Sequence, residues 1–210
     1  MTVKERIAEQ FPSLFVTLVS ILIGIFFDNL FAEARSRMVL WPLDIATLRT
    51  WGQIAGMGLS ALTVWSIFAH IGISRRHVPT MADSIIVFLA PVPLLIGNAY
   101  VGQKEIWPWF YFASAYLVIA TITTLWHTRL TLSERELAPF RRLYRPLGHL
   151  GVLYFGIPFY AAAGWAGQHA MLSPWAELLL AWSTGPAAIL CTWLFFRDWH
   201  RAIAAADKAG

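Results

Sequence analysis

The chain has 210 residues, 58% of them hydrophobic and only 13% charged, with a mean hydropathy of +0.57. Globular domains run nearer half apolar and a quarter charged, so this excess, arranged in blocks, marks an integral membrane protein. The formal charge of +4 is scattered, without the strip of Lys, Arg and exposed aromatics that nucleic acid requires. The single cysteine, Cys191, excludes an internal disulfide framework and a cysteine-rich metal site.

The N-terminal "MTVKERIAEQFPSLFV" carries Glu5 and Glu9 where a cleavable signal would be purely basic. The apolar run beyond it is long enough to cross a bilayer, so 12–32 reads as the first transmembrane helix. Its far end is polar, "FFDNLFAEAR". An ionisable residue in a membrane helix is a functional candidate by default. Asp28 is therefore expected near the outer interface, as an acidic mouth that concentrates cations. A solvated helix end, ion-paired with Arg35 or Arg37, is the plainer alternative. The following segment, 33–50, carries mixed charge and an apolar "MVLWPL", which suggests a stretch resting on the membrane surface.

The second apolar segment, 51–72, sets Gly52, Gly56 and Ser60 four residues apart on one face. Such a stripe of small residues lets another helix approach closely, either from this chain or from a second subunit. The third, 80–101, contains "APVPLLIGN", with Pro91 and Pro93 near its centre and Asn98 after them. A proline inside a helix removes a donor and clashes with the preceding turn. In hydrocarbon the freed carbonyls need a neighbour or a wet cavity. Asp83, in "TMAD" just after Pro79, reads as part of a helix-start signal.

Segment four spans 106–128. The inner loop 131–146, "TLSERELAPFRRLYRP", begins with Ser133 and Glu136 at capping-box spacing. It continues with apolar residues beside Arg141, Arg142 and Arg145, the pattern of a basic amphipathic helix on anionic lipid. Segment five, 147–167, opens with His149. Segment six, 174–196, contains "WSTGPAAILC", in which Ser183, Thr184 and Pro186 form a second expected break.

These segments predict an all-α protein: a single transmembrane domain over 1–210, a six-helix bundle with cytoplasmic N- and C-termini. Only Arg35, Arg37, Arg49 and Lys104 of the sixteen Lys and Arg residues fall on the outer side, a clear positive-inside bias. The expected setting is a cell's inner membrane, and the close-packing glycines suggest a homo-oligomer or a larger membrane complex. Helices three and six occupy corresponding places in two three-helix halves and run in opposite directions. Paired breaks of this kind build midplane sites in secondary transporters. The leading expectation is a channel or carrier for a small ion or polar solute, lined by Pro91, Pro93, Asn98, Ser183, Thr184 and Pro186, with Asp28 at its mouth.

Two other readings stand beside it. One is a membrane subunit without transport of its own, acting as sensor, anchor or assembly partner. The other is a redox subunit holding haem b between imidazoles, with His70 and His149 as the weak candidates for haem or metal because they fall at similar depth. No cofactor is required by the leading reading. No catalytic constellation emerges, and no nucleotide-binding loop of the Gly-x-x-x-x-Gly-Lys-Ser/Thr kind is present.

Overall fold

The computed structural model describes residues 3–37, 43–74, 85, 88–131 and 147–207. The helices are α1 (Val3–Arg37), α2 (Ile45–Ser74), a short α3 (Val92–Asn98), α4 (Trp107–Thr131), α5 (Leu147–Gln168) and α6 (Pro174–Asp207), and no strand occurs among the described residues. Five of them, all but α3, are long and apolar enough to span a membrane. The inner loop over 132–146, its expected lipid-binding face and Asp83 lie outside the described residues.

Hydrophobic spacing decides which face of each helix turns inward. In α1, Phe15, Val19, Ile23, Phe26, Leu30 and Ala34 are buried, a three-to-four-residue stripe that lies on one side of a helix of 3.6 residues per turn. That stripe packs antiparallel on α2. Phe15 meets Phe68 with ring centroids 5.8 Å apart, and the Trp65 indole donates to Ser20 Oγ at 3.0 Å. A Cβ on Gly58 would lie 3.6 Å from the Phe27 ring.

The most extensive helix pairs are α2 with α6 and α4 with α5. Both are seamed by glycine. A Cβ placed on Gly52 would lie 2.7 Å from Cδ1 of Trp182, and one on Gly56 would fall 2.9 Å from the Thr184 Cβ. The partner of the Gly52–Gly56–Ser60 stripe is thus helix α6 of the same chain. The α4–α5 seam is similar: Gly164 receives the Tyr111 ring and Gly156 receives Leu117, with hypothetical Cβ contacts of 3.0 and 2.6 Å.

The expected break in helix three takes a specific form. Ala90 and Pro91 form a turn, Pro91 stands at the N-cap of α3, and its carbonyl accepts from the Leu95 N–H at 2.9 Å. Pro93 falls in the first helical turn, where a backbone N–H has no intrahelical acceptor to lose. The two prolines thus stand where helical residues 88–89 give way, through the Ala90–Pro91 turn, to α3. Helix six corrects the second expectation: α6 runs without interruption from Pro174 to Asp207, with Pro186 inside it. Around that proline, Ser183 Oγ donates to the Leu180 carbonyl at 2.7 Å and Thr184 Oγ1 to the Ala181 carbonyl at 2.8 Å. Both are bonds to the preceding turn of the kind that Ser and Thr make in helices, whereas the carbonyl that Pro186 leaves without its helical donor is that of Trp182.

Candidate functional site

Two cavities lie inside the bundle. The larger, about 90 Å³, is walled by α2 from Ser60 to Phe68, α4 from Ala113 to Thr124, α5 from His149 to Tyr160 and α6 from Thr184 to Cys191, with Ala90 beside it. The smaller, about 30 Å³, is bounded by Gly56, Met57, Pro93, Gly97, Trp109 and Phe112, among others. Ser60, Ala113, Tyr116 and Thr184 belong to both walls. The Tyr116 hydroxyl donates to the Ser60 carbonyl at 3.2 Å, a strut across the place where the two chambers meet.

The order of lining residues also gives the directions of the helices. From the smaller cavity to the larger, numbering rises along α2, α4 and α6 and falls along α3. The small cavity therefore lies toward the Arg49 end of the bundle and the large one toward the His149 end. Among the described residues, no Asp, Glu, Lys or Arg lines either chamber. The polar groups are hydroxyls, one imidazole, the Cys191 thiol and the Trp109 indole, which donates to Met57 Sδ.

Most of these hydroxyls are engaged. Thr63 Oγ1 lies 2.9 Å from the Leu59 carbonyl and 2.7 Å from Thr192 Oγ1, tying α2 to α6. Tyr160 and Ser183 share a hydrogen bond of 2.9 Å between α5 and α6. Thr124 Oγ1 lies 2.9 Å from His149 Nε2. Two buried polar atoms at the large cavity have no partner among the described residues, Thr123 Oγ1 and His149 Nδ1.

The Arg49 end is closed by groups the sequence reading did not single out. Gln53 is fully buried, and its Oε1 accepts from the Gly102 N–H at 3.0 Å. Gly102 has a φ of +68°, a left-handed conformation that glycine adopts without strain. Arg49 pairs with Glu177 of α6 and donates to the Gln103 carbonyl at 2.9 Å. One turn beyond the small cavity, α2 thus pins both α6 and the segment between α3 and α4. Just outside the first turn of α2, Asp44 Oδ1 accepts from the Thr47 N–H at 2.7 Å. That bond, with further help from the Thr47 side chain, holds the Asp44 carboxyl below its ordinary 3.8.

The expected lining separates accordingly. Pro93 and Thr184 reach the small cavity together, Thr184 also walls the large one, and Ser60 joins them. Ser183 faces Tyr160. Pro91 and Asn98 are buried but line neither chamber, and Asn98 Oδ1 has no partner among the described residues. Pro186 is exposed on the outer face of α6.

Asp28 is exposed on the outside of α1 and lines neither cavity. Its buried neighbours Phe26 and Leu30 use the inward stripe, so the helical repeat turns position 28 away. It follows Phe27, which meets Gly58, and Gly58 lies about 13 Å along α2 from Arg49 at 1.5 Å per residue. Asp28 thus stands on the α1 surface that faces away from both cavities.

The two histidines both pack edge-on against Phe195, with centroid distances of 6.2 Å for His70 and 5.7 Å for His149. His70 also meets Phe196, Trp199 and His200 at 5.1, 4.9 and 6.1 Å. Among the described residues no three His, Cys, Asp or Glu side chains gather as metal ligands do.

No protein-family model, curated protein or solved structure matches this chain.

Proposed function

We propose that this chain is a six-crossing membrane protein that passes small uncharged polar solutes through the bundle by way of its two chambers. The observation that carries the reading is the pair of cavities meeting at Ser60, Tyr116 and Thr184, with no formally charged side chain among the described residues of either lining. A permanent ion stripped of water needs fixed charge or a ring of carbonyls to replace its hydration. A neutral molecule needs only apolar walls and a few hydrogen-bonding groups to orient it, which these walls offer.

The six-crossing topology is supported by direction. Helices α2 and α4 run the same way, so the chain between them has to return across the bundle, and α3 lies on that return path with opposite polarity. The described residues Arg197 and Arg201 lie toward the His149 end, and with the positive-inside bias of the sequence they support a reading in which that end and both termini face the cytoplasm.

The test is swelling of proteoliposomes in inward gradients of urea, glycerol and propionamide, with sodium, potassium, proton and chloride fluxes measured in parallel. The expected result is neutral-solute entry above that of empty vesicles, without ion conductance. Ala120→Phe, which fills the large chamber, is expected to suppress it. Ion flux exceeding solute flux would refute the uncharged-solute reading. Folded, inserted protein that passes nothing would favour a non-transporting subunit.

A further inference from the structure

We infer that the large cavity is a recognition site for a small uncharged molecule with an apolar body and one hydroxyl or primary-amide head, bound between Thr123 and His149. The inference rests on the reading of this chamber as part of a solute path, and it names the chemistry that the path selects.

The argument begins with which polar atoms are already used. Thr63, Tyr116, Tyr160 and Thr184 all have protein partners. A threonine in a helix ordinarily bonds back to the carbonyl one turn earlier. Thr121, two residues from Thr123, does so, with its hydroxyl 2.8 Å from the Leu117 carbonyl. Thr123 does not, although only 6% of it is exposed. His149 is 1% exposed and has Nε2 engaged by Thr124, leaving Nδ1 unpaired. Thr123 and His149 stand on neighbouring helices, α4 and α5, and both line the same chamber. Native proteins pair nearly all their buried polar atoms, so two open ones at one cavity wall mark the place where a ligand supplies the partners.

Their chemistry sets the head group. A threonine hydroxyl both donates and accepts. His149 Nδ1 does one or the other, according to which way the proton lies in the Thr124–Nε2 bond. A hydroxyl or a primary amide offers both roles and satisfies either tautomer. A carboxylate would enter a chamber without a cation, and an ammonium one without a carboxylate, each uncompensated in a low-dielectric interior. The body meets Val64, Ile67, Leu117, Ile119, Val152 and Leu153, so it is apolar. At about 90 Å³ the chamber holds the volume of about three liquid waters, or a solute of about five heavy atoms.

The experiment uses the purified full-length chain in lipid nanodiscs, with propionamide as probe and methyl acetate, of equal heavy-atom count but without a donor, as control. Propionamide is expected to raise the unfolding temperature saturably, and methyl acetate to require at least tenfold higher concentration. Thr123→Val is isosteric and removes an unpaired buried hydroxyl, so the ligand-free variant is expected to be at least as stable as wild type while losing the propionamide response. Thr123→Ser is expected to retain it. Absence of a saturable shift in wild type, or an equal shift in Thr123→Val, overturns the assignment. Swelling separates this from the transport reading. Urea and glycerol entry without propionamide binding leaves the path and removes the site, whereas saturable binding without entry of any solute leaves the site and removes the path.

Discussion

Gly56→Ala tests how closely α2 and α6 are joined. The added methyl would arrive 2.9 Å from the Thr184 Cβ and 3.6 Å from the Gly185 backbone nitrogen, with the Thr184 hydroxyl nearer still. Rotating the threonine does not help, because its Cβ is fixed by the α6 backbone and its own methyl would replace the hydroxyl. The helices have to part by about 0.5–1 Å, a gap that forfeits a quarter to a half of the dispersion between the atoms it separates. Overpacking of this kind costs about 1–3 kcal/mol, against about 1 kcal/mol gained from alanine's helix propensity. The rigid Trp182 indole, bonded through Nε1 to the Leu48 carbonyl at 2.9 Å, gives little one turn away, which places the cost at the upper end. A net loss of about 2 kcal/mol is expected. Removing the opposing Cβ with Thr184→Gly is expected to be worth more in the Gly56→Ala background than in wild type, with a coupling of about 1–3 kcal/mol. Reversible unfolding of the purified protein in mixed micelles, followed by tryptophan fluorescence, measures all four corners of the cycle. A Gly56→Ala protein as stable as wild type, with no coupling to position 184, would refute a close α2–α6 contact.

Three further outcomes are expected. Glu177→Gln leaves Arg49 largely buried without its anion; the pair is only partly exposed, at 11% and 20% of side-chain area, so a loss of about 2 kcal/mol is expected in the same unfolding assay, between the values for surface and buried pairs. The Asp44 carboxyl is depressed in the folded state, so its capping contribution is complete above the ordinary value of 3.8 and fades as the pH falls through the lower folded value. Asp44→Ala is expected to flatten that acid limb of the stability–pH curve, and an unchanged curve would show the cap to be without weight. Asp28→Asn, on the outer face of α1, is expected to leave solute entry into proteoliposomes unchanged; a large fall would return this residue to the path.

The parts of the fold visible in the sequence are those governed by periodicity and length. The inward stripe of α1, the small-residue face of α2 and the five long apolar helices all follow from side-chain spacing alone. Proline was harder to read, because its effect depends on where in a helix it falls. Pro91 and Pro93 fall at a turn between helical residues 88–89 and α3, where Pro93 has no intrahelical bond to lose, while Pro186 sits inside an unbroken α6 and faces outward. Both patterns look like breaks in one dimension. Thr123 illustrates the remaining difficulty. In "TITT" at 121–124 the threonines are chemically alike, yet Thr121 bonds back to its own helix, Thr124 turns to His149 and Thr123 stays open. That difference comes from rotation about the α4 axis and from what α5 places opposite. His149 drew attention only through its depth, and Arg49 and Gln53 became informative only once the segment over 100–104 was seen folded against them.

The glycine seams have a mechanical consequence. With Trp182 over Gly52 and Thr184 over Gly56, α2 and α6 move as one lever. With Tyr111 over Gly164 and Leu117 over Gly156, α4 and α5 form a second. Both chambers lie between the levers, bridged in the middle by two hydroxyl contacts, Tyr116 to Ser60 and Tyr160 to Ser183. Rocking about these contacts would widen the gap at one end while narrowing it at the other, with no helix needing to bend. Arg49 and Gln53, which tie α2 to Glu177, Gly102 and Gln103 at one end, would have to let go before that end could part.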